Sequence, residues 1–149
     1  MKATMKHALA AVLFLVCTAS ASAQARLDGP DRQGGAVLCA WMIYVQMHAV
    51  GDRCFPDDPS GTNAVLGESV EKIEKFIQDN SSATQDQVAK GRDNLRSEIL
   101  GDPGTAYCAD DKDPVRMYRA FQRAGTQKTR DDISKLLAIP RKPVMNPCL

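Results

Sequence analysis

The chain has 149 residues with 19 Lys and Arg against 18 Asp and Glu, a formal net charge of +1. That balance excludes the strong basic excess expected of a nucleic-acid binder. The length allows one domain with its own core and is short for two.

The first segment, "MKATMKHALAAVLFLVCTASASAQA", carries Lys2 and Lys6, an apolar run from Ala8 to Val16, and then small residues ending in Ala21-Ser22-Ala23. This three-part order predicts a secretory signal peptide over residues 1–23, cut after Ala23 so that Gln24 leads the mature chain. The apolar run is too short for a permanent anchor, and no later run reaches the length of a membrane span, so a soluble exported protein is expected. Acylation at Cys17 is disfavoured because bulky Val16 precedes it. Loss of Lys2 and Lys6 takes the net charge from +1 to −1. The short n-region and the Ala-Ser-Ala-Gln junction are of bacterial style, which places the protein in the periplasm or outside the cell.

Removing the signal leaves four of the five cysteines: Cys39, Cys54, Cys108 and Cys148. An even count in an exported chain predicts two disulfides, and the wide spacings lack the paired C-x-x-C pattern of a zinc site.

Residues 24–35 are polar and Gly-rich and read as a flexible arm; residues 36–149 form the predicted helical domain. "AVLCAWMIYVQMHAV", Ala36 to Val50, is apolar on nearly every face, as in a helix at the middle of a bundle, with Gly51 as its stop. In "NAVLGESVEKIEKFIQDN", Leu66, Val70, Ile73 and Ile77 form a helical stripe with Phe76 alongside. Glu68–Lys72 and Glu71–Lys75 are candidate outer-face pairs, and Asn80 is a plausible stop. In "TQDQVAKGRDNLRSEILG", Thr84 and Gln87 make a capping-box pattern, and Val88, Leu95 and Ile99 give a thin stripe. Asp113 and Pro114 suit the N-cap and first position of a fourth helix, with Met117, Tyr118, Phe121 and Ala124 inward and Gly125 as its end. A short fifth helix is expected from Thr129 to before Pro140, and the Pro-rich tail lacks a regular element. No segment shows strand alternation between hairpin turns. The expected fold is therefore all-α, a compact bundle of about five helices pinned by two disulfides.

Short connections make successive helices antiparallel, which brings the loops 51–62 and 101–112 to one end. That geometry predicts a Cys54–Cys108 bridge. Cys39 lies roughly 16 Å down the first helix, beyond the reach of Cys54, since bridged Cα atoms lie within about 7 Å. Cys148 is left for Cys39, strapping the tail back along that helix.

The same end gathers Asp52, Asp57, Asp58, Asp102, Asp110, Asp111 and Asp113, with His48 in the helical turn beneath. Calcium would suit carboxylates in Gly-containing loops, but neither "DDPSGTN" nor "DDKDPV" fits the twelve-residue calcium loop. Acid–base chemistry by His48 with an aspartate would need a nucleophile, and no G-x-S-x-G, H-E-x-x-H or Ser-x-x-Lys motif is present. The simpler reading makes His48 a helix-end residue in favourable contact with the dipole. Met42 and Met47 share no helical face well, which speaks against copper; there is no C-x-x-C-H haem motif, and no cofactor is expected. Trp41 and Tyr44 read as core, and Arg116, Arg119 and Arg123 as a solvated basic stripe. His48, Asp52, Asp57, Asp58, Asp110, Asp111 and Asp113 remain as candidate binding residues on an acidic surface for a protein partner.

The Cys39 helix, the loop Cys54-Phe55-Pro56 and the amphipathic run Val70 to Ile77 together resemble the small periplasmic immunity proteins that neutralise peptidoglycan-degrading effectors. The resemblance covers under half the chain. It implies a periplasmic address and a protein partner, and no residue's role is carried over from it. The expectation is a small exported, non-catalytic interaction protein: an inhibitor, immunity-type or accessory factor. The alternative is a small hydrolase or a ligand- or metal-binding protein using the acidic end near His48.

Overall fold

A computed structural model of the chain describes residues 35–101 and 105–146. The predicted signal peptide and all but the last residue of the predicted arm lie outside them, as do Asp102 and Cys148. The described residues form five α-helices and one 3-10 turn, with no strand among them. The helices are α1 (Val37–Cys54), α2 (Thr62–Asp79), α3 (Gln85–Leu100), α4 (Asp113–Ala124) and α5 (Thr126–Leu136); the 3-10 turn is Thr105–Cys108. No helix among the described residues is long and apolar enough to cross a membrane.

The nearly all-apolar α1 occupies the centre and touches α2, α3 and α4. Its Val37, Val45, Ala49 and Val50 are at most 1% exposed, so its apolar character on all sides has a partner on all sides. Gly51 does not stop it. The helix continues a full turn to Cys54, and Gly51 serves instead as a close-packing point: a Cβ there would fall 2.0 Å from Asn63 Oδ1 and 2.9 Å from the Tyr118 ring. Two neighbouring helices can approach only where the side chain is missing.

Helix α2 buries Val65, Leu66, Val70, Ile73, Phe76 and Ile77, and the Asn80 side chain closes it by donating to the Phe76 carbonyl (2.9 Å). The two expected outer-face pairs are replaced: Lys75 bonds Asp79, and Glu68 reaches Arg130 on α5 (3.3 Å). Helix α3 opens on the full capping box. Gln87 N–H donates to Thr84 Oγ1 and Thr84 N–H to Gln87 Oε1. Val88 is its one buried residue, in keeping with a thin apolar stripe.

Helix α4 begins with Asp113 already helical and Lys112 as its N-cap, one residue ahead of expectation. Its phase also differs. Val115 and Tyr118 are fully buried, whereas Met117 is 45% exposed and Ala124 lies on the outside. Tyr118 sets this rotation by stacking flat on Phe55 (centroids 4.6 Å apart), while Phe121 meets Tyr44 edge-on. Helix α5 starts at Thr126 rather than Thr129, because the Gly125 carbonyl accepts from Thr129 N–H (3.2 Å) and opens the ladder three residues earlier.

The vertical order follows from contacts between helices. Gly51 faces Asn63 and Trp41 bonds Glu74, so α1 and α2 are antiparallel. His48 meets Arg96 and Arg53 donates to the Ile99 carbonyl, so α1 and α3 end together. The predicted Cys54–Cys108 disulfide is present, with Cα atoms 5.3 Å apart. At the opposite end, Leu38 N–H donates to the Val144 carbonyl (3.1 Å), and Arg141, only 7% exposed, donates to the Gly35 carbonyl (2.8 Å). The tail is therefore folded back on the start of α1. Cys39, 3% exposed, lies at this end of α1, and Cys148, its expected partner, is outside the described residues.

Candidate functional site

The candidate residues divide into three sets. The first is a polar seam between α1, α2 and α3. His48 lies six residues before the end of α1, well away from the helix terminus where its dipole contact was expected, and it packs against α2 at Gly67. A Cβ on Gly67 would stand 3.1 Å from His48 Nε2, so any side chain there would push the imidazole aside by a few tenths of an ångström. Arg96 donates through Nη1 to His48 Nδ1 (3.3 Å) and through Nη2 to Asp52 Oδ2 (2.8 Å). Asn63 Nδ2 donates to Asp52 Oδ1 (2.8 Å), and His48 Nε2 stands 3.7 Å from that oxygen. One carboxylate thus ties the ends of all three helices.

Burial lowers the His48 pKa below 6.5; Asp52 and Glu71 oppose this, while Arg96 and Arg92 add to it. For Asp52, burial pushes the pKa up, but the hydrogen bonds from Arg96 and Asn63, with the nearby His48 and Arg96 charges, bring it below the usual carboxylate value. A neutral imidazole that accepts from a guanidinium, beside an ionised and doubly bonded aspartate, acts as a clasp between helices.

Lower in the same seam, Glu74 is 8% exposed and accepts from Trp41 Nε1 (3.2 Å) and Arg92 Nη1 (2.8 Å). Sequence reasoning missed this group. The available signals were a carboxylate at the edge of the α2 apolar stripe and an indole N–H that needs an acceptor when buried.

The second set centres on Asp58. Its carboxylate accepts from Ser60 N–H (3.0 Å), Asn63 N–H at the start of α2 (3.3 Å), Tyr118 Oη (2.9 Å) and Gln122 Nε2 (3.0 Å). Burial alone would raise its pKa; the hydrogen bonds, led by those from Ser60 and Tyr118, pull it down to about 2. Tyr118 is correspondingly raised, by burial first and by Asp58 second. Asp58 therefore fastens the first loop to the N-terminus of α2 and to α4.

The third set faces solvent. Asp57 is exposed. The Asp110, Asp111 and Asp113 side chains are 85%, 77% and 85% exposed, and each stands near a cation: Arg119 at 3.5 Å, Lys112 at 4.0 Å, and Arg116 respectively. Exposed pairs of this kind contribute about 0–1 kcal/mol and leave the carboxylates available. The structure therefore brings six of the seven predicted aspartates to one end, the seventh, Asp102, lying outside the described residues, and gives them two jobs: Asp52, itself exposed, and Asp58 fasten neighbouring elements, and the others face solvent, Asp110, Asp111 and Asp113 beside surface cations. Among the described residues no group of three His, Cys, Asp or Glu side chains converges as a metal site. Comparison with protein-family models, with curated proteins and with solved structures finds no match for this chain.

Proposed function

We propose that this is a small exported, periplasmic, non-catalytic interaction protein of inhibitor, immunity or accessory type, and that its recognition surface is the loop end bearing Asp57, Asp110, Asp111 and Asp113. The observation that carries the reading is the way this end is held. The Cys54–Cys108 disulfide joins its two loops, Asp58 ties one of them to α2 and α4, and Arg53 lies 4.7 Å over the Tyr107 ring of the other. Loops fixed before binding lose little entropy on association. Outward carboxylates on such loops suit a basic patch on a partner, where charge complementarity chiefly raises the association rate. His48, Asp52 and Asp58 act here as the scaffold beneath the surface. The resemblance to periplasmic immunity proteins points to the same class.

The reading includes export through cleavage after Ala23 and a second disulfide, Cys39–Cys148, closing the opposite end. Affinity capture from the exported fraction tests it. A stoichiometric partner that is retained at low salt, and lost when Asp57, Asp110 and Asp111 are changed together to Asn, is the expected result. No partner under any growth condition would defeat it. N-terminal sequencing should begin at Gln24, and non-reducing peptide mapping should recover the Cys39–Cys148 peptide.

A further inference from the structure

Helix α4 presents a second surface of opposite character. Residues advance about 100° each along a helix, which splits α4 into three arcs. Val115, Tyr118 and Gln122 face the rest of the fold, Tyr118 and Gln122 both reaching Asp58. The next arc holds Arg116, Arg119 and Arg123, all exposed. Beyond it come Met117, Ala120, Phe121 and Ala124, of which Met117, Ala120 and Ala124 are exposed. An apolar arc open to solvent on a helix whose inner arc is already satisfied is a feature of interaction faces.

Each outer arc lines a depression. The arginines, with Asp110, border a cleft of about 410 Å³. The apolar arc, with Thr129 and Asp132 from α5, borders a trough of about 200 Å³. Asp132, paired with Lys128 (2.7 Å), stands at the α5 side of the trough, and the α4 side is apolar throughout. In the cleft, Arg119 is fixed in place: its guanidinium lies 4.6 Å over the Phe55 ring, itself stacked on Tyr118, and it donates to Gln122. Arg116 is paired with Asp113 and Arg119 with Asp110, while Arg123 has no ion pair among the described residues. The surplus charge of the cleft is therefore positive.

We propose that this face of α4 docks an acidic amphipathic segment of a partner protein. The segment's apolar side chains would enter the trough and its carboxylates the arginine cleft, in the helix-in-groove manner. A second copy of this chain does not fit by pairing its own α4 face to face. Two-fold antiparallel pairing of α4 would set Arg116 against Arg123 and Arg119 against itself. This inference rests on the reading of the protein as an interaction module, but on an adjoining surface that meets the acidic end at Asp110 and takes the opposite partner charge.

Selection of a random peptide display library on the intact oxidised protein separates the two. Winners that interleave Asp or Glu with Leu or Phe are expected. Their affinity should fall about tenfold in Arg123→Glu and severalfold in Met117→Ser, and should weaken with added salt. Both positions are exposed, and unchanged thermal melts would exclude misfolding. Lys- and Arg-rich winners that depend on Asp110 and Asp111 would overturn this inference while leaving the acidic-end reading in place. Winners indifferent to both sets of variants, or none above background, would also overturn it. So would displacement by inorganic pyrophosphate alone, the mark of a small-anion site, or a concentration-dependent dimer abolished by Arg123→Glu.

Discussion

At the scale of single residues, Gly51 shows how one position can reverse its reading. Helix propensity favours alanine over glycine by about 1 kcal/mol in a helix interior. Here the added methyl would collide with the Asn63 amide and the Tyr118 ring, and overpacking of that kind costs about 1–3 kcal/mol. Gly51→Ala should therefore lower stability in urea denaturation; a gain would mean that Asn63 swings aside freely. Asp58 carries the clearest pH signature. Its pKa is held at about 2 against an ordinary 3.8, so it stabilises the fold fully above about pH 4 and progressively less as pH falls through about 2. Asp58→Asn should destabilise by about 1–2 kcal/mol near neutrality, on the scale of a lost helix cap. The gap from wild type should narrow steadily as the acid limb is descended, and a constant gap would show that the charge is not what matters. The aspartates of this end were legible in the sequence as a group because turns between antiparallel helices are short. Which of them fastens neighbouring elements was not, because that depends on Tyr118, Gln122 and Arg96, which come from distant segments.

At the scale of elements, the five helices were legible where local chemistry is decisive. The capping box at Thr84, the stripe from Leu66 to Ile77 and the stop at Asn80 all formed as read. The misreadings concern tertiary choices. Glycine after an apolar run reads as a terminus unless a neighbour needs the space, and the phase of α4 was decided by the Phe55–Tyr118 stack rather than by its count of apolar residues. The seam joining α1, α2 and α3 makes its own prediction. Because the pKa of His48 is depressed in the folded state, the unfolded chain takes up its proton first as pH falls below 6.5. Stability contributed by this group therefore rises with pH through the window just under 6.5 and is level above it. Protonation also removes the lone pair that accepts from Arg96, placing two cations side by side. Denaturation of wild type and His48→Gln across this range should show the slope in the first and not in the second. Parallel curves would mean that the imidazole remains solvated enough to titrate normally.

At the scale of the whole molecule, the fold is fastened separately at its two ends. Disulfide, loop and carboxylate hold one end; the returning tail, through Arg141 and Val144, holds the other. The cross-link closes a sequence separation of 54 residues that spans α2 and α3. The chain-entropy relation for a loop of that length gives about 4 kcal/mol of destabilisation of the unfolded state. For a small domain this is a large share of a total that is typically about 5–15 kcal/mol. Changing Cys54 and Cys108 together to Ser should therefore lower the melting temperature steeply. The proposed function adds a second, sharper expectation. The interhelical packing of α1 with α2 and α3 does not pass through the sulfurs, so the double variant should keep its helical circular dichroism at low temperature. The two acid-bearing loops should nevertheless separate, and amide exchange should rise between residues 105 and 112 before it rises in α1. Under those conditions partner capture should fall although the domain is still folded. If capture survives with the bridge gone, the rigid loop end is not the recognition surface, and the face of α4 becomes the better place to look.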